Sequence, residues 1–284
     1  ARFHREILIA ARLQHPHLVP LLTAAEPDER TDTPVGELRW YTMPYVEGKS
    51  LREHLVKRGA LTMPDALRML RELASALAYA HAKGVIHRDI KPENVLLSDG
   101  VAMIADFGVA KALDEASEAA ASSGRRVTTV SMTLGTPAYM APEQVNSAKV
   151  VDHKADLYAF ACVAYEILTG APPFVRASLR ATMAAQLADT ARPIRELRPD
   201  VPASLADVLM RSLEKDPLQR PHSASVIVKT IDALHAVPTP PSAMPPSVAE
   251  AVPVSPDRSR WPTAFAAVAV LLLVAAAWWV GSNR

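Results

Sequence analysis

His87-Arg88-Asp89-Ile90-Lys91-Pro92-Glu93-Asn94, followed after a short apolar stretch by Asp106-Phe107-Gly108, decides how this chain folds. Between the two motifs, Val95-Leu96-Leu97 and Val101-Ala102-Met103-Ile104 read as two short buried strands. Ser98-Asp99-Gly100 joins them, and Asp-Gly tolerates the positive φ angles that a tight hairpin needs. A hairpin returns its ends to one place, so Asn94 and Asp106 are expected side by side, with Asp89 and Lys91 just upstream. One carboxylate and one amide oxygen suit a hard cation such as Mg²⁺ carrying a nucleotide phosphate. A second carboxylate nearby can orient an incoming hydroxyl. The spacing points to phosphoryl transfer.

Taken in order, His-Arg-Asp-x-Lys-x-x-Asn, Asp-Phe-Gly and Ala141-Pro142-Glu143 resemble the signature of eukaryotic-type (Hanks-type) protein kinases. The wording Leu134-Gly135-Thr136-Pro137-Ala138-Tyr139-Met140-Ala141-Pro142-Glu143-Gln144 looks like the membrane-anchored serine/threonine kinases of bacteria, and the likeness runs from Arg2 to about His235. It implies an α+β, bilobal fold: a partial small lobe and hinge over 1–46 and a mainly helical large lobe over 47–236. The implied activity is transfer of the ATP γ-phosphoryl group to protein Ser/Thr hydroxyls, including the protein's own. By resemblance, Asp89 orients the hydroxyl, Lys91 neutralises charge on the moving group, and Thr136 bonds to both and helps seat the substrate. Asn94 and Asp106 would hold Mg²⁺, with Mn²⁺ as an alternative. Met43 corresponds to the gatekeeper, the backbone at Pro44 and Val46 to the adenine contacts, and Leu96 to a further nucleotide-binding position.

The family also carries a Gly-rich phosphate loop and a strand lysine that pairs with a helix glutamate. Glu6 matches that glutamate, yet the first lysine is Lys49 and the chain opens at Ala1 without Met. The expectation is that the loop and the lysine are encoded upstream. Arg88 corresponds to an arginine that binds a phosphate on the activation loop. Thr128, with Thr129, is the candidate acceptor, although Val130 stands where a second threonine is usual. Arg220 is expected to pair with Glu143. Asp156 is expected both to cap its helix and to hold the backbone of the catalytic loop, and Ala161 replaces a usual glycine.

The periodicity supports a helical lobe. Residues 61–83 place Ala66, Leu70, Leu73, Leu77 and Ala80 on one stripe, with Thr62 as cap, Pro64 in the first turn and Gly84 as stop. Residues 156–169 are apolar all round, which marks a central helix, and 202–214 and 222–235 read as the last two. Residues 2–13 read as a helix ended by Pro16, and 18–24 and 38–43 as strands. His4, His15 and His17 belong to an ordinary helix-to-strand turn and are not read as metal ligands. A net charge of +1 over 284 residues argues against a nucleic-acid surface. The single cysteine, Cys162, excludes an internal disulfide and reads as a packing residue.

After residue 236 the composition changes. Residues 237–260 form a Pro-rich linker, and 261–281 read as one transmembrane helix whose segment 263–280 carries no charge. Trp261, Trp278 and Trp279 fit interfacial belts, and Arg258 and Arg260 fit a cytoplasmic flank. The expectation is a single-pass protein of the inner (plasma) membrane with its kinase domain in the cytoplasm, with a homodimer as the species that phosphorylates in trans. Two alternatives remain from the sequence: a membrane-anchored pseudokinase that acts as a scaffold, and an interaction protein working through its Pro-rich linker.

Overall fold

The computed structural model describes residues 11–24, 41–107, 137–148 and 151–235. The chain divides into two units, Ala1–Val237 and Pro238–Arg284, and every described residue belongs to the first. Glu6, Thr128, Thr129, Thr136, most of the helix expected over 2–13, and the linker and span after residue 236 lie outside the described residues. Among the described residues, no helix is long and apolar enough to cross a membrane.

Strand β1 (Thr23–Ala24) pairs antiparallel with β2 (Tyr41–Thr42), with Thr23 opposite Thr42. Strand β1 is shorter than the sequence suggests. Residues 18–21 join the fold differently: Leu18 makes an isolated bridge to Ile104, and Val19 N–H donates to the Ile104 carbonyl at 2.9 Å. The second sheet has the order β3 (Lys49–Ser50), β4 (Val95–Ser98), β5 (Val101–Ile104), all antiparallel. The β4–β5 hairpin is the expected one, with Asp99 at φ 48° and Gly100 at φ 79°, the two positive angles of a twisted two-residue turn. Gly48 is required by close approach, because a Cβ there would collide with the Leu97 carbonyl oxygen.

The helices follow from their caps. In α1 (Leu51–Arg58), Ser50 and Glu53 form a reciprocal capping box. Helix α2 (Met63–Ala82) starts at Thr62, which accepts from Asp65 N–H, and stops where Gly84 turns to φ 74°. Its stripe of Ala66, Leu70, Leu73, Leu77 and Ala80 is buried as expected, against α4, β5 and α8. Each buried leucine contributes about 1.5–3 kcal/mol, and Leu77→Ala would cost about 2–5 kcal/mol.

A short α3 (Pro142–Val145) precedes α4 (His153–Thr169), which is buried on every side from Ala155 to Leu168. One expectation is corrected here. The cap of α4 is Asp152, which accepts from Lys154 N–H, whereas Asp156 lies one turn inside and is free for another task. Helices α5 (Leu179–Ala188), α6 (Ile194–Leu197), α7 (Ala203–Ser212) and α8 (Ala224–His235) complete the lobe. Cys162 is buried in α4, and burial pushes its thiol pKa up, so it is a packing residue.

Candidate active site

Asp89 lies on the loop between α2 and β4, and its neighbours set its chemistry. Lys91 Nζ donates to Asp89 Oδ2 at 2.6 Å. Asn94 Nδ2 donates to the Asp89 carbonyl at 2.8 Å and to Oδ2 at 3.1 Å. The Asp89 side chain keeps 30 % of its surface and Lys91 keeps 19 %, so the pair is held yet reachable. Because the Asn94 nitrogen is committed to Asp89, its oxygen is the atom left to face a cation.

Asp106 leaves β5 directly after Ala105, whose N–H donates to the Asn94 carbonyl at 2.9 Å. The hairpin thus makes Asn94 and Asp106 diagonal neighbours, as its two ends require. Asp106 has φ 61°, unusual for a non-glycine residue. Its Oδ1 accepts from the Tyr41 hydroxyl at 2.6 Å. Burial first, then this hydrogen bond, raises the Tyr41 phenol well above its ordinary range. Among the described residues, one amide oxygen and one further carboxylate oxygen therefore remain, a donor set that fits a hard divalent cation completing its shell with phosphate and water. Among the described residues, no three His, Cys, Asp or Glu side chains gather to hold an ion unaided.

The loop carrying Asp89 is fixed from the helical lobe. Asp156 is 0 % exposed. Its Oδ1 accepts from Arg88 N–H at 2.7 Å, and its Oδ2 accepts from His87 N–H and His81 Nε2, both at 2.8 Å. Burial by itself would raise this carboxyl. The His81 hydrogen bond, the His81 and His87 rings and the His87 N–H outweigh it and hold the pKa below the ordinary value. His87 Nε2 faces the Ala105 carbonyl at 2.8 Å while Nδ1 faces Asp89 N–H at 3.2 Å, which assigns the ring hydrogen to Nε2. Phe107 packs edge-on against that ring at 4.6 Å.

Arg88 sits at φ 70°, held by Asp156 at its nitrogen and by Gln144 Nε2, which donates to its carbonyl at 2.8 Å. Arg88 Nε is buried with no hydrogen-bond partner among the described residues. Arg220, 2 % exposed, meets Glu143 through two bonds of 2.6 and 2.8 Å, as expected. It also donates to the carbonyls of Glu214, Lys154 and Lys215. Met43, 40 % exposed, and Pro44 and Val46, both partly exposed, form the segment after β2, and Leu96 is partly buried opposite Ser50 and Met103. His15 Nε2 meets Ser75 Oγ and His17 Nδ1 meets the Ala102 carbonyl, so both rings serve packing.

Several site residues escape sequence reasoning. Tyr41 and Gln144 are single polar residues whose partners lie 65 and 56 positions away. Arg52 is another: it binds Glu93 at 2.8 Å, Glu166 at 2.6 Å and the Tyr139 hydroxyl, tying α1 to the catalytic loop and to the turn Pro137–Tyr139.

A carboxylate backed by an ammonium, an amide oxygen and carboxylate at the hairpin mouth, and a buried aspartate holding the loop define a protein kinase. The chain belongs to the protein kinase family, and the family's protein kinase domain matches residues 1–230. Its relatives include the serine/threonine-protein kinase PknH of Mycobacterium tuberculosis, 33 % identical over 278 residues, covering 90 % of this chain and 41 % of the relative. PknD of the same species is 38 % identical over 237 residues, covering 82 % of this chain and 33 % of the relative. PknB of Mycolicibacterium smegmatis is 34 % identical over 235 residues, covering 82 % and 36 %. The chain thus spans about two fifths or less of these relatives' lengths. Among solved structures, the M. tuberculosis PknI kinase domain superposes with a TM-score of 0.60 at 31 % identity, covering 82 % of this chain and 77 % of that one. Membership implies the use of ATP and a divalent cation in general terms.

Proposed function

We propose that this protein transfers the γ-phosphoryl group of ATP to serine or threonine hydroxyls of proteins, its own included. The observation that carries the reading is Asp89 itself, bonded to Lys91 at 2.6 Å and Asn94 at 3.1 Å beside the Asp106 end of the hairpin. Asp89 accepts or orients the acceptor hydroxyl through its exposed edge. Lys91 lies where charge gathers on the transferring group. The Asn94 oxygen and Asp106 Oδ2 would hold Mg²⁺ or Mn²⁺, which would offset phosphate charge when bound. Met43, Pro44, Val46 and Leu96 serve the nucleotide base, Glu6 the phosphate-binding lysine, and Thr136 the acceptor. A site of this kind works by position and electrostatics, so loss of one ligand is severe.

The buried Arg88 Nε, without a hydrogen-bond partner among the described residues, supports a phosphate-ordered activation loop, with Thr128 and Thr129 as acceptors. Residues 261–281 anchor the chain in the inner (plasma) membrane with the kinase domain in the cytoplasm, and tethering favours dimeric encounters for phosphorylation in trans.

The test is radiolabel transfer from Mg·ATP by the protein expressed from its native reading frame. Asp89→Asn and Asp106→Ala should each lower autophosphorylation by about a hundredfold or more. Retained transfer in purified Asp106→Ala would refute the assigned metal role. Absence of transfer in the wild type, with nucleotide still bound, would favour a membrane-anchored scaffold.

A further inference from the structure

Pro137, the first residue of the turn beside the catalytic loop, is held by a chain of polar groups that the site described above does not use. Gln186 on α5 is 0 % exposed, and its Nε2 donates to the Pro137 carbonyl at 2.9 Å. Its Oε1 accepts from the Tyr158 hydroxyl of α4 at 2.5 Å. Tyr158, also fully buried, accepts in turn from Lys215 Nζ at 3.1 Å. The donor order is forced. An ammonium can only donate, so the Tyr158 hydrogen goes to Gln186 Oε1, and the Gln186 nitrogen must face the acceptor-only carbonyl of Pro137.

Lys215 is itself fixed, with Nζ 3.7 Å from the Phe174 ring centroid and 5.5 Å from that of Tyr158. Tyr158 and Phe174 stack at 6.4 Å with an interplanar angle of 8°. Two polar side chains in the core are costly unless fully satisfied, and a satisfied network specifies a position rather than adding stability. The position specified is that of Pro137.

The far end of the same turn is already pinned, because Tyr139 donates to Glu166 at 2.5 Å. Arg52 joins Tyr139 to Glu93, and Gln144 holds the Arg88 carbonyl, so the turn lies against the loop that presents Asp89. A polypeptide that delivers a hydroxyl to Asp89 meets this turn, whereas the nucleotide-binding positions lie on other segments.

We propose that Gln186, oriented by Lys215 through Tyr158, is a positioning residue that sets the Pro137 end of the turn and thereby the fit of the protein substrate. This rests on the kinase reading above. Without the clamp the side-chain hydrogen bonds left to the turn, among the described residues, are those at Tyr139, and acceptor binding weakens while nucleotide binding does not.

The experiment uses the protein from its native reading frame with myelin basic protein as acceptor. Gln186→Leu and Tyr158→Phe should raise the acceptor KM about tenfold, the worth of one buried hydrogen bond. The KM for ATP should stay within about twofold, since the clamp touches no nucleotide-binding position. Lys215→Arg, which keeps a donor, should behave as wild type, and Lys215→Met should fall between. Hydrogen exchange at the Met140 amide, bonded to Pro137 at 3.3 Å, should quicken in Gln186→Leu and Tyr158→Phe. An equal rise in both KM values, or a lowered melting temperature with acceptor KM and exchange unchanged, would overturn the proposal. A wild type that labels no acceptor would sink the kinase reading instead, and Met140 exchange would still decide whether the clamp exists.

Discussion

Asp156→Asn is the sharpest single test of how the site is built. The carboxylate accepts three hydrogen bonds at 2.7–2.8 Å, two on Oδ2 and one on Oδ1, and it is wholly buried. Asparagine has the same shape but only one acceptor oxygen. Its better orientation keeps His81 and His87 and turns an NH₂ group toward Arg88 N–H, donor against donor. One charge-assisted bond is lost, worth about 1.5–3 kcal/mol, and a buried N–H is left unpaired at about 1–3 kcal/mol. Relief of the Arg88 backbone and removal of a buried charge return part of this, leaving a net loss of about 2–3 kcal/mol. For a domain of this size that lowers Tm by about 4–12 °C. Freed of its φ, the loop displaces Asp89, and a shift of about 1 Å costs on the order of a hundredfold in kcat. The pH dependence follows from the lowered Asp156 pKa. A depressed carboxyl stabilises the fold above its unfolded pKa of about 4, and that contribution disappears as pH falls through the folded pKa. Calorimetric melts should therefore show a steady wild-type advantage from pH 5 to 8 that narrows only in acid. A Tm difference below about 2 °C at pH 7, or one already gone at pH 6, would refute the reasoning.

The Arg220–Glu143 pair yields a second expectation: Arg220→Met should destabilise by about 3–5 kcal/mol, because Glu143 and three backbone carbonyls lose their donor. Chemical denaturation of the single variants and of the double variant with Glu143→Gln checks it, and additivity would contradict a coupled pair. Lys215 supplies a third: burial lowers its pKa to about 8. At pH 8 roughly half the amine is then neutral, against under about one part in a hundred for an ordinary lysine. Limited acylation followed by peptide mapping should modify Lys215 early, and finding it among the last lysines labelled would count against the geometry.

What was legible in the sequence was local. Asp99-Gly100 set the hairpin, Thr62 and Gly84 bounded α2, and the 3.6-residue stripe named its buried face; each signal lies within a few residues of its effect. The cap of α4 is not legible in the sequence because the apolar run starts near Asp156, while the first helical turn, His153-Lys154-Ala155, is mostly polar and carries no periodic signal. The Glu143–Arg220 pair and the hold of Asp156 on the loop came through family resemblance, because neither spacing nor composition links positions 68 to 77 residues apart. Tyr41, Gln144 and Gln186 stayed hidden for the same reason. A lone polar residue in an apolar or loop segment looks alike whether it faces water or a carbonyl from another element.

Both ends of the stretch that decides the fold carry backbone that a side chain resists. Arg88 at φ 70° and Asp106 at φ 61° flank Asp89 and Asn94, and each such conformation costs about 1–3 kcal/mol and persists only where its surroundings dictate it. For Arg88 the surroundings are explicit: Asp156 from α4 takes its N–H and Gln144 from α3 gives to its carbonyl. Asp106 follows the last residue of a hairpin whose register is fixed by Ala105 and Asn94, and Phe107 beyond it is buried against His87. The loop therefore does not choose its own shape. Helices α3 and α4 impose it, and α4 can do so because it is packed on all sides and cannot shift to relieve the strain. Substitutions at Asp156 and Gln144, which hold the Arg88 backbone, should then appear chiefly in kcat, whereas substitutions at the Pro137 clamp, Tyr158 of α4 included, appear in acceptor KM. The same buried lobe holds both parts of the site, but through separate hydrogen-bond chains, so the two effects can be pulled apart.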